Sequence, residues 1–550
     1  MHLSPTSLAA LGSGAAACLL MLFVTSGAGP GISPDSISYL SAAQSLIRTG
    51  DMRSPSMLEW EVPADTIPYA GFPPGYPAAI AVPLALNASP VESARAIQAV
   101  SAFVTVVVAV LLAGSAGGPA IGILAAVMIL SSPAVLYSHM YVFSEPLFFA
   151  AFFLTLMAMV RSPGRPWLAG LASAVALLIR FAGAGATLAA VLWTLLQPGK
   201  WRERLKRAAI VFAPSAIVLA AWMIRTRIVS SRAHGGESEF VGDPFPMLLL
   251  GGPRRSLWKG FGSSLYDGFD SFFDWLIPLV SVHLTDARYR TAMLAFVVTA
   301  ISVMLLHMAG GRNVAARAAN SPNQERGRLW GASGILAGSY ITILLLARLV
   351  DPWLTFDARI LAPLMVIGVL GFVTVLGAWW PNRPRLMRGI IVTGICVWLS
   401  LAITLNARLV QSALQEGIGV SSLAMKSSPL VRWTRENARS RSVFSNDFGA
   451  LIWNAGSDAR ALPFRLGASW RDPYPQPIDT ALALAFGDTL VRRNGLVIVF
   501  DEINPYMIAP DSLVRLLSLN QIARLSDGGV WAPGAETLRV LEAFRGIRIR

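Results

Sequence analysis

Charged residues are scarce in this sequence, and their scarcity excludes a soluble domain for most of the chain. Only 14% of the 550 residues are charged, whereas 54% are hydrophobic. The mean hydropathy is +0.56. Soluble domains carry about 25% charged residues. We therefore expect lipid to be the solvent of most of the chain and predict an integral membrane protein.

Cysteine and histidine are also rare. The two cysteines, Cys18 and Cys396, lie inside apolar runs, which predicts neither a disulfide framework nor a thiolate metal site. The five histidines are scattered and show no metal-ligand spacing. A Ser-His-Asp arrangement, a Walker loop and a dinucleotide fingerprint are missing too. The sequence therefore gives no support to ATP hydrolysis or nicotinamide chemistry.

The positive net charge of +14 does not indicate a nucleic-acid partner. The basic residues cluster in short loops between apolar runs, which is the orientation signal of a membrane protein. Those loops, at residues 161–166, 198–207, 309–330 and 381–388, all fall on one side if the N-terminus is cytoplasmic. We therefore expect a protein of a bacterial-type inner (plasma) membrane, with its active site and C-terminal domain extracytoplasmic.

Eleven apolar runs are candidates for membrane spans, each of which needs about 20 residues, with some tolerance. They cover residues 8–28, 96–113, 120–136, 146–160, 167–179, 183–196, 208–225, 291–308, 331–346, 360–377 and 390–405. The first has no basic flank, so we expect a retained span rather than a signal peptide. The fifth and sixth are short and predict a helical hairpin with Arg180 near its tip.

The pattern changes from residue 409 onward. Hydropathy falls, and short β-like runs at 442–445 and 496–500 alternate with helical patterns at 430–437 and 478–491. This alternation predicts a small extracytoplasmic α/β domain over residues 409–550. It follows a mostly α, polytopic membrane domain over residues 1–408, whose outer segments include a first loop, 29–95, and a long loop, 228–290.

Asp35 lies at the start of the segment that is central to our interpretation of the chain. It lies a few residues beyond the first apolar run, where Ser33 or Asp35 could cap a helix. Apolar residues then recur at helical spacing up to Ile47. A carboxylate fixed at the start of an interfacial helix is a candidate catalytic base, and the alternative is that Asp35 is only a helix cap.

Other ionisable residues lie near the predicted outer face, where such groups are functional candidates. Glu145 precedes Pro146 at a predicted helix start, Arg180 lies between two short spans, and Asp357 comes two residues before Arg359. Two carboxylates could act as base and positioning group, or share a cation. Two arginines could clamp a phosphate. The alternatives are a helix cap at Glu145, a headgroup contact of Arg180 and a local ion pair at 357–359.

Several motifs, taken in order, resemble a known family. They are Asp35, then PPGYP (73–77), SEPLF (144–148), LIRFAG (178–183) and DARILAP (357–363). In the tail, VFSNDFGALIWNAG (443–456) is followed by ALP (461–463). The set is similar to the polyprenyl-phosphate-sugar-dependent glycosyltransferases of the GT-C fold. That group includes protein O-mannosyltransferases, the lipid A aminoarabinose transferase and some lipopolysaccharide-core transferases.

The resemblance implies a fold, a reaction and site residues. A sugar on a polyprenyl phosphate would move, with inversion, to an extracytoplasmic glycolipid, polysaccharide or protein. Asp35 would be the general base, and Glu145 would position the acceptor or a metal ion. A divalent metal ion is left open as a cofactor, and its ligands would be Asp35 and Glu145. Basic residues would hold the donor phosphate, namely Arg180 and Arg359. Further candidates for substrate binding are Tyr39, Tyr76, His139 and Asp357.

Two positions depart from the family pattern. Ile360 follows Arg359 where an aromatic residue is usual, and the first outer loop offers one acid, Asp35, where many relatives have two adjacent ones. Two other functions are compatible with the spans. One is a secondary transporter, although no internal correspondence between halves is evident. The other is a polysaccharide polymerase or ligase that uses diphosphate-linked donors.

Overall fold

The structure is a computed structural model that describes residues 3–57, 65–233, 322–350, 357–380, 383–463, 479–501 and 507–548. Its first ten helices are α1 (Pro5–Val24), α2 (Pro34–Thr49), α3 (Gly75–Ala85), α4 (Pro90–Gly117), α5 (Pro119–Leu130), α6 (Pro133–Met140), α7 (Glu145–Arg161), α8 (Pro166–Ile179), α9 (Ala184–Leu196) and α10 (Trp201–Ala233). The next three are α11 (Pro322–Val350), α12 (Ala358–Trp379) and α13 (Arg385–Gln415).

The described residues form two compact units. The first draws on Met1–Thr25, Ala70–Pro83 and Glu92–Gln411, and the second on Ser26–Tyr69, Leu84–Val91 and Ser412–Arg550. Within the described ranges, six helices are long and apolar enough to cross a bilayer, or seven if one bent pair counts as a span. The first unit therefore has the helices of an integral membrane protein, but the predicted total of eleven spans is not confirmed.

Most predicted spans coincide with helices. The run at 291–308 and all but the first six residues of the loop at 228–290 lie outside the described residues. The run at 120–136, predicted as one span, is interrupted, because α5 and α6 meet at a bend of 62°. The residue before a proline avoids the helical conformation, so Ser132-Pro133 breaks the helix. From α13, the Asn406 Nδ2 donates to the Ser131 carbonyl at this break, 2.8 Å away.

The predicted short hairpin is present as α8 and α9, joined by a 3₁₀ turn over Phe181–Gly183. Arg180 lies at the joint with an extended backbone, φ −147° and ψ 141°. A Cβ on Gly183 would come within 2.3 Å of the Leu177 backbone nitrogen, so only glycine allows this tight return. The turn therefore fixes Arg180 at the end of the hairpin.

The second unit contains a two-stranded hairpin and a five-stranded sheet. In the hairpin, β1 (Arg53–Pro55) pairs antiparallel with β2 (Thr66–Pro68). The larger sheet has the order β4-β3-β5-β7-β6, built from β3 (Val443–Ser445), β4 (Arg460–Ala461), β5 (Leu496–Phe500), β6 (Asn520–Leu525) and β7 (Gly528–Ala532). Strands β4, β3 and β5 run parallel, and β7 pairs antiparallel with β5 and β6.

Helices accompany this sheet, as the alternating pattern predicts. They are Leu423–Ser427, Pro429–Asn437, Phe448–Ala450, Thr480–Arg492, Pro510–Leu516 and Ala535–Arg548, and a π-helical turn covers Leu451–Ala455. Strand β5 is buried along its whole length, so the sheet has a core on both faces. A small α/β region is therefore present, whereas its placement outside the membrane stays a prediction.

Candidate active site

Glu145 begins α7 and is the buried centre of the candidate site. Pro146, in the first turn, suits a helix start because its missing N–H would be unpaired there anyway. Ser144 occupies the N-cap position but makes no side-chain cap bond. The Glu145 side chain is only 3% exposed. A carboxylate buried to this extent needs charged partners, because an unpaired buried charge is very unfavourable.

Two arginines supply those partners. The Glu145 Oε1 lies 2.9 Å from Arg180 Nη1 and 3.1 Å from Arg359 Nε. These are ion pairs without the alignment of a hydrogen bond, since that oxygen accepts no regular one. Arg180 Nη1 also donates to the Ser144 Oγ at 2.9 Å. Residues that are 35 and 214 positions away from Glu145 in sequence, at 180 and 359, thus meet at one carboxylate.

Arg359 is held by the first turn of α12. Asp357 caps that helix, and its Oδ1 accepts a hydrogen bond of 2.8 Å from the Ile360 N–H. The other Asp357 oxygen lies 3.7 Å from Arg359 Nε, so Asp357 is both a cap and a loose ion-pair partner. The Arg359 guanidinium also lies over the Phe143 ring, with Cζ 4.6 Å from the ring centroid.

The exposure of these charges decides what the cluster can bind. Glu145 is buried, whereas the Arg180 and Arg359 side chains are 24% and 23% exposed. Glu145 neutralises one of the two positive charges, so the trio carries a net charge of +1, and Asp357 at the edge is 43% exposed. Guanidinium groups match the geometry of phosphate oxygens. The guanidinium groups of Arg180 and Arg359 can therefore bind one phosphate together.

The first-loop motif meets the hairpin motif in the same unit. A Cβ on Gly75 would come within 2.6 Å of the Leu178 carbonyl oxygen, so the start of α3 packs directly on the backbone before Arg180. Tyr76, the next residue, is fully buried. The structure therefore brings PPGYP and LIRFAG together, and the role of Tyr76 in substrate binding stays a prediction.

His139 is buried in the packing between α6 and α7. Its Nδ1 is 2.8 Å from the Val135 carbonyl oxygen, and its ring centroid is 6.1 Å from that of Phe149. Because a carbonyl can only accept, Nδ1 carries a proton in this arrangement. Substrate binding by His139 stays a prediction that these contacts leave untested.

Asp35 and Tyr39 belong to α2 in the second unit. Ser33 caps this helix through a reciprocal box with Ser36, and Asp35 is a half-buried residue of the first turn. The alternative that Asp35 is itself the cap is therefore wrong. Tyr39 is buried on the same helix. The convergence of Asp35 with the arginine pair stays a prediction.

A divalent metal does not fit Glu145 as the structure has it. The carboxylate oxygen already faces two guanidinium nitrogens, and their positive charge opposes a cation at that position. Among the residues that the structure describes, no group of three or more His, Cys, Asp and Glu side chains could hold a metal ion.

Sequence reasoning missed residues that surround Arg359. Phe143 lies immediately before the SEPLF motif, so its proximity was a usable signal. Tyr340 lies on α11 within a purely apolar pattern, and its hydroxyl donates to the Ile360 carbonyl at 2.8 Å. Only the tertiary packing reveals that contact, because no local pattern marks this tyrosine.

Comparison with known proteins gives structural likenesses only. No family model matches the sequence, and no curated protein matches it. A solved structure to which the chain is similar is ArnT from Cupriavidus metallidurans bound to undecaprenyl phosphate. Its TM-score is 0.43 at 14% identity, over 95% of this chain and 98% of that one.

Two further similar structures are transferases by name. The oligosaccharyltransferase AglB from Archaeoglobus fulgidus, in complex with an inhibitory peptide and a dolichol-phosphate, has a TM-score of 0.47 at 11% identity, over 89% of this chain and 69% of that one. The arabinofuranosyltransferase AftD from Mycobacteria has a TM-score of 0.46 at 14% identity, over 96% of this chain but 41% of AftD. These are proteins of the kind that the motifs resemble.

Proposed function

We propose that this protein is a membrane glycosyltransferase that moves a sugar from a polyprenyl phosphate to an extracytoplasmic acceptor. The observation that carries the proposal is the convergence of Arg180 and Arg359 on the buried Glu145, at the end of a short apolar hairpin. The motif resemblance supplies the donor class. The geometry supports it because a phosphate ester that enters from the bilayer would meet the two cations there.

The arginine pair would stabilise the leaving group. When the bond between the anomeric carbon and the phosphate oxygen breaks, the departing polyprenyl phosphate gains one negative charge. Preorganised cations at the place where charge develops lower the barrier, and more so in a water-poor site. A buried Glu145 holds both guanidiniums in place, so we assign it to positioning rather than to proton transfer.

Asp35 is the proposed general base. It would take the proton of the acceptor hydroxyl while the acceptor oxygen forms its bond to the anomeric carbon and the phosphate leaves from the opposite face. The step moves one proton to Asp35 and one electron pair to the phosphate, and it inverts the anomeric centre. General base catalysis of this kind contributes about 10²- to 10⁴-fold.

The positions of the basic residues support an extracytoplasmic site. Glu145 and Arg161 are the two ends of α7, a helix of 17 residues that is about 25 Å long. At the Arg161 end, the Arg161 Nη2 donates to the Leu111 carbonyl and the Arg326 Nε to the Ala116 carbonyl, both near the C-terminus of α4. Because basic residues mark the cytoplasmic face, Glu145 would lie at the opposite one.

Donor binding tests the arginine pair. Purified protein in nanodiscs is titrated with undecaprenyl phosphate and, as an uncharged control, undecaprenol. Arg359→Ala should weaken the phosphate affinity by about tenfold or more, because a hydrogen bond to a charged group contributes about 1.5–3 kcal/mol, and should leave undecaprenol binding unchanged. Equal affinity of parent and variant for undecaprenyl phosphate would remove Arg359 from the site.

Transfer tests Asp35. In a reconstituted assay with a polyprenyl-phosphate sugar, Asp35→Asn should reduce transfer by about 100-fold or more while the protein stays folded in the membrane. Asp51→Asn is the matched control, since Asp51 follows the same helix and its carboxylate accepts from the Met52 N–H. Full transfer by the Asp35 variant would reject the proposed base.

A further inference from the structure

Arg359 is fixed from two directions that do not involve Glu145. One is the face of its guanidinium, which covers the Phe143 ring. The other is its own helix turn, which the Tyr340 hydroxyl fastens at the Ile360 carbonyl. Both supporting residues are buried, at 5% and 2% exposure. They cannot therefore be explained as part of the surface that a donor would touch.

Phe143 is itself held by a polar anchor inside an apolar helix. The Tyr141 carbonyl accepts hydrogen bonds from the Phe143 N–H, at 2.8 Å, and from the Gln98 side-chain amide on α4. The two bonds close a tight turn in which the Tyr141 and Phe143 rings stack, 4.8 Å apart and 7° from parallel. A buried glutamine in a spanning helix is unfavourable unless it bonds, and here its bond sets the orientation of the ring beneath Arg359.

Tyr340 bonds to the first turn of α12, which lacks one helical hydrogen bond. Pro363 lies inside that helix and has no N–H, so it cannot donate the usual helical bond to the Arg359 carbonyl. The Tyr340 hydroxyl reaches the next carbonyl, that of Ile360. The Tyr340 ring is wedged against two rings of α7, with centroids 6.0 Å from Phe148 and 5.3 Å from Phe152. The hydroxyl therefore fastens the turn that carries Arg359 from a rigid position.

We propose that Phe143 and Tyr340 are positioning residues for the donor phosphate, because they fix the Arg359 guanidinium by its face and by its helix turn. The inference rests on the proposed function, in which Arg359 binds the phosphate. It goes further by assigning part of that binding to two residues that touch no substrate. Since both act through Arg359, their effect must disappear when Arg359 is removed.

Undecaprenyl phosphate in nanodiscs is the probe, and undecaprenol is the uncharged control. Phe143→Leu should weaken phosphate binding by about fivefold or more, the size of a partly desolvated cation–π contact. Phe143→Tyr keeps the ring and should restore it. Tyr340→Phe removes only the hydroxyl and should weaken binding about two- to fivefold. None of the three should change undecaprenol binding.

Two control variants separate positioning from general packing. Phe149→Leu removes an equally large buried ring, which lies on α7 beside the His139 and Phe148 rings. Thr374→Val removes a buried hydroxyl of α12 that donates to the Leu370 carbonyl, about three turns beyond Arg359. Both should bind undecaprenyl phosphate as the parent does. A loss in Phe149→Leu equal to that in Phe143→Leu would overturn the inference, since packing alone would then explain it.

The double variants separate this inference from the proposed function. In an Arg359→Ala background, Phe143→Leu and Tyr340→Phe should each cause no further loss, which is the non-additivity expected of coupled residues. Additive losses would reject positioning through Arg359. If Arg359→Ala alone weakens binding while Phe143→Leu and Tyr340→Phe do not, only the inference fails. If Arg359→Ala itself binds normally, the proposed phosphate site fails with it.

Discussion

Each unit contains a buried ion cluster, and the two clusters differ in which partner is buried. In the first unit the buried partner is the acid, Glu145, at 3% exposure, and its arginines reach the surface. In the second unit the buried partner is the base: the Arg460 side chain is 2% exposed, while Asp65, 3.7 Å away, is 76% exposed. The first cluster thus presents guanidinium groups at its surface, and the second presents a carboxylate.

This difference indicates what each cluster is for. Arg460 lies on the short edge strand β4, where the Ala461 N–H donates to the Met57 carbonyl beside the β1–β2 hairpin. A buried cation there pairs with carboxylates of a loop and contributes to the packing of the unit. A buried acid beneath two half-exposed guanidiniums instead prepares a place for an anion. When one partner of an ion pair is buried, the charge of the more exposed partner therefore determines whether the cluster attracts an anion or a cation.

The largest expected effect comes from removing the buried acid. Glu145→Gln leaves two guanidiniums facing each other with only Asp357, 3.7 Å from Arg359, as a counter-charge, and breaking a buried pair costs about 3–5 kcal/mol. We expect a strongly lowered melting temperature in detergent. Undecaprenyl phosphate should restore part of the loss, because its phosphate can take the place of the missing carboxylate.

Asp65→Asn is the matched change in the second unit. Its carboxylate is 76% exposed and 3.7 Å from Arg460, and Asp458 remains as a second counter-charge, so its removal should cost no more than about 1 kcal/mol. Undecaprenyl phosphate should not restore the loss. Equal destabilisation by Glu145→Gln and Asp65→Asn would break the comparison.

Removing one arginine from each cluster should give the next largest difference. Arg180→Met should weaken undecaprenyl phosphate binding by about tenfold or more, since it removes one charged donor from the proposed site. Arg460→Met removes a buried cation that pairs with Asp65 in the second unit and has no part in the proposed phosphate site. We expect it to leave donor affinity unchanged. Titrations of both variants measure this, and a parallel loss in Arg460→Met would contradict the assignment of Arg460 to packing.

The smallest expected effect is a pH dependence of the second cluster. Burial, followed by the negative charge of Asp65, raises the pKa of the Asp458 carboxyl, while Arg460 opposes the rise. A raised pKa means that the folded state binds the proton more tightly, so stability falls as pH rises through the interval between the unfolded and folded values, from about pH 4 upward.

Asp458→Asn should therefore raise the free energy of unfolding at neutral pH. We expect a gain below about 1 kcal/mol, because the carboxyl is only partly buried and solvent screens its interactions. Thermal unfolding of parent and variant across that pH interval measures the difference. A variant that is less stable than the parent at neutral pH would show that the Asp458 charge stabilises the cluster.

The sequence predicted elements well where one local signal decides them. Apolar length located the helices, and the glycine and arginine between two short runs located the hairpin tip. The break at Ser132-Pro133 carried a local signal too, since the residue before proline avoids the helix, but the apolar length was given more weight. The hairpin of β6 and β7 was missed although Asp527-Gly528 is a turn signal.

The candidate site was predictable only as separate residues. Glu145, Arg180 and Arg359 each stand out as ionisable groups near a predicted membrane face. Which of them share a contact is set by how α7, the α8–α9 hairpin and α12 pack, and no local pattern encodes that packing. Arg460 was missed for a related reason, because its burial depends on the β1–β2 hairpin, whose sequence lies some 400 residues earlier.

The interrupted segment at Ser131 has a consequence for the last long helix. A backbone carbonyl that loses its helical partner inside the bilayer cannot bond to water instead. Each unsatisfied polar group in hydrocarbon costs several kcal/mol. The amide of Asn406 satisfies it from α13, a helix that otherwise buries little of its surface. This hydrogen bond therefore sets the rotation of α13 about its axis. If the helix rotated, the Ser131 carbonyl and the Asn406 amide would lose their bond inside the hydrocarbon.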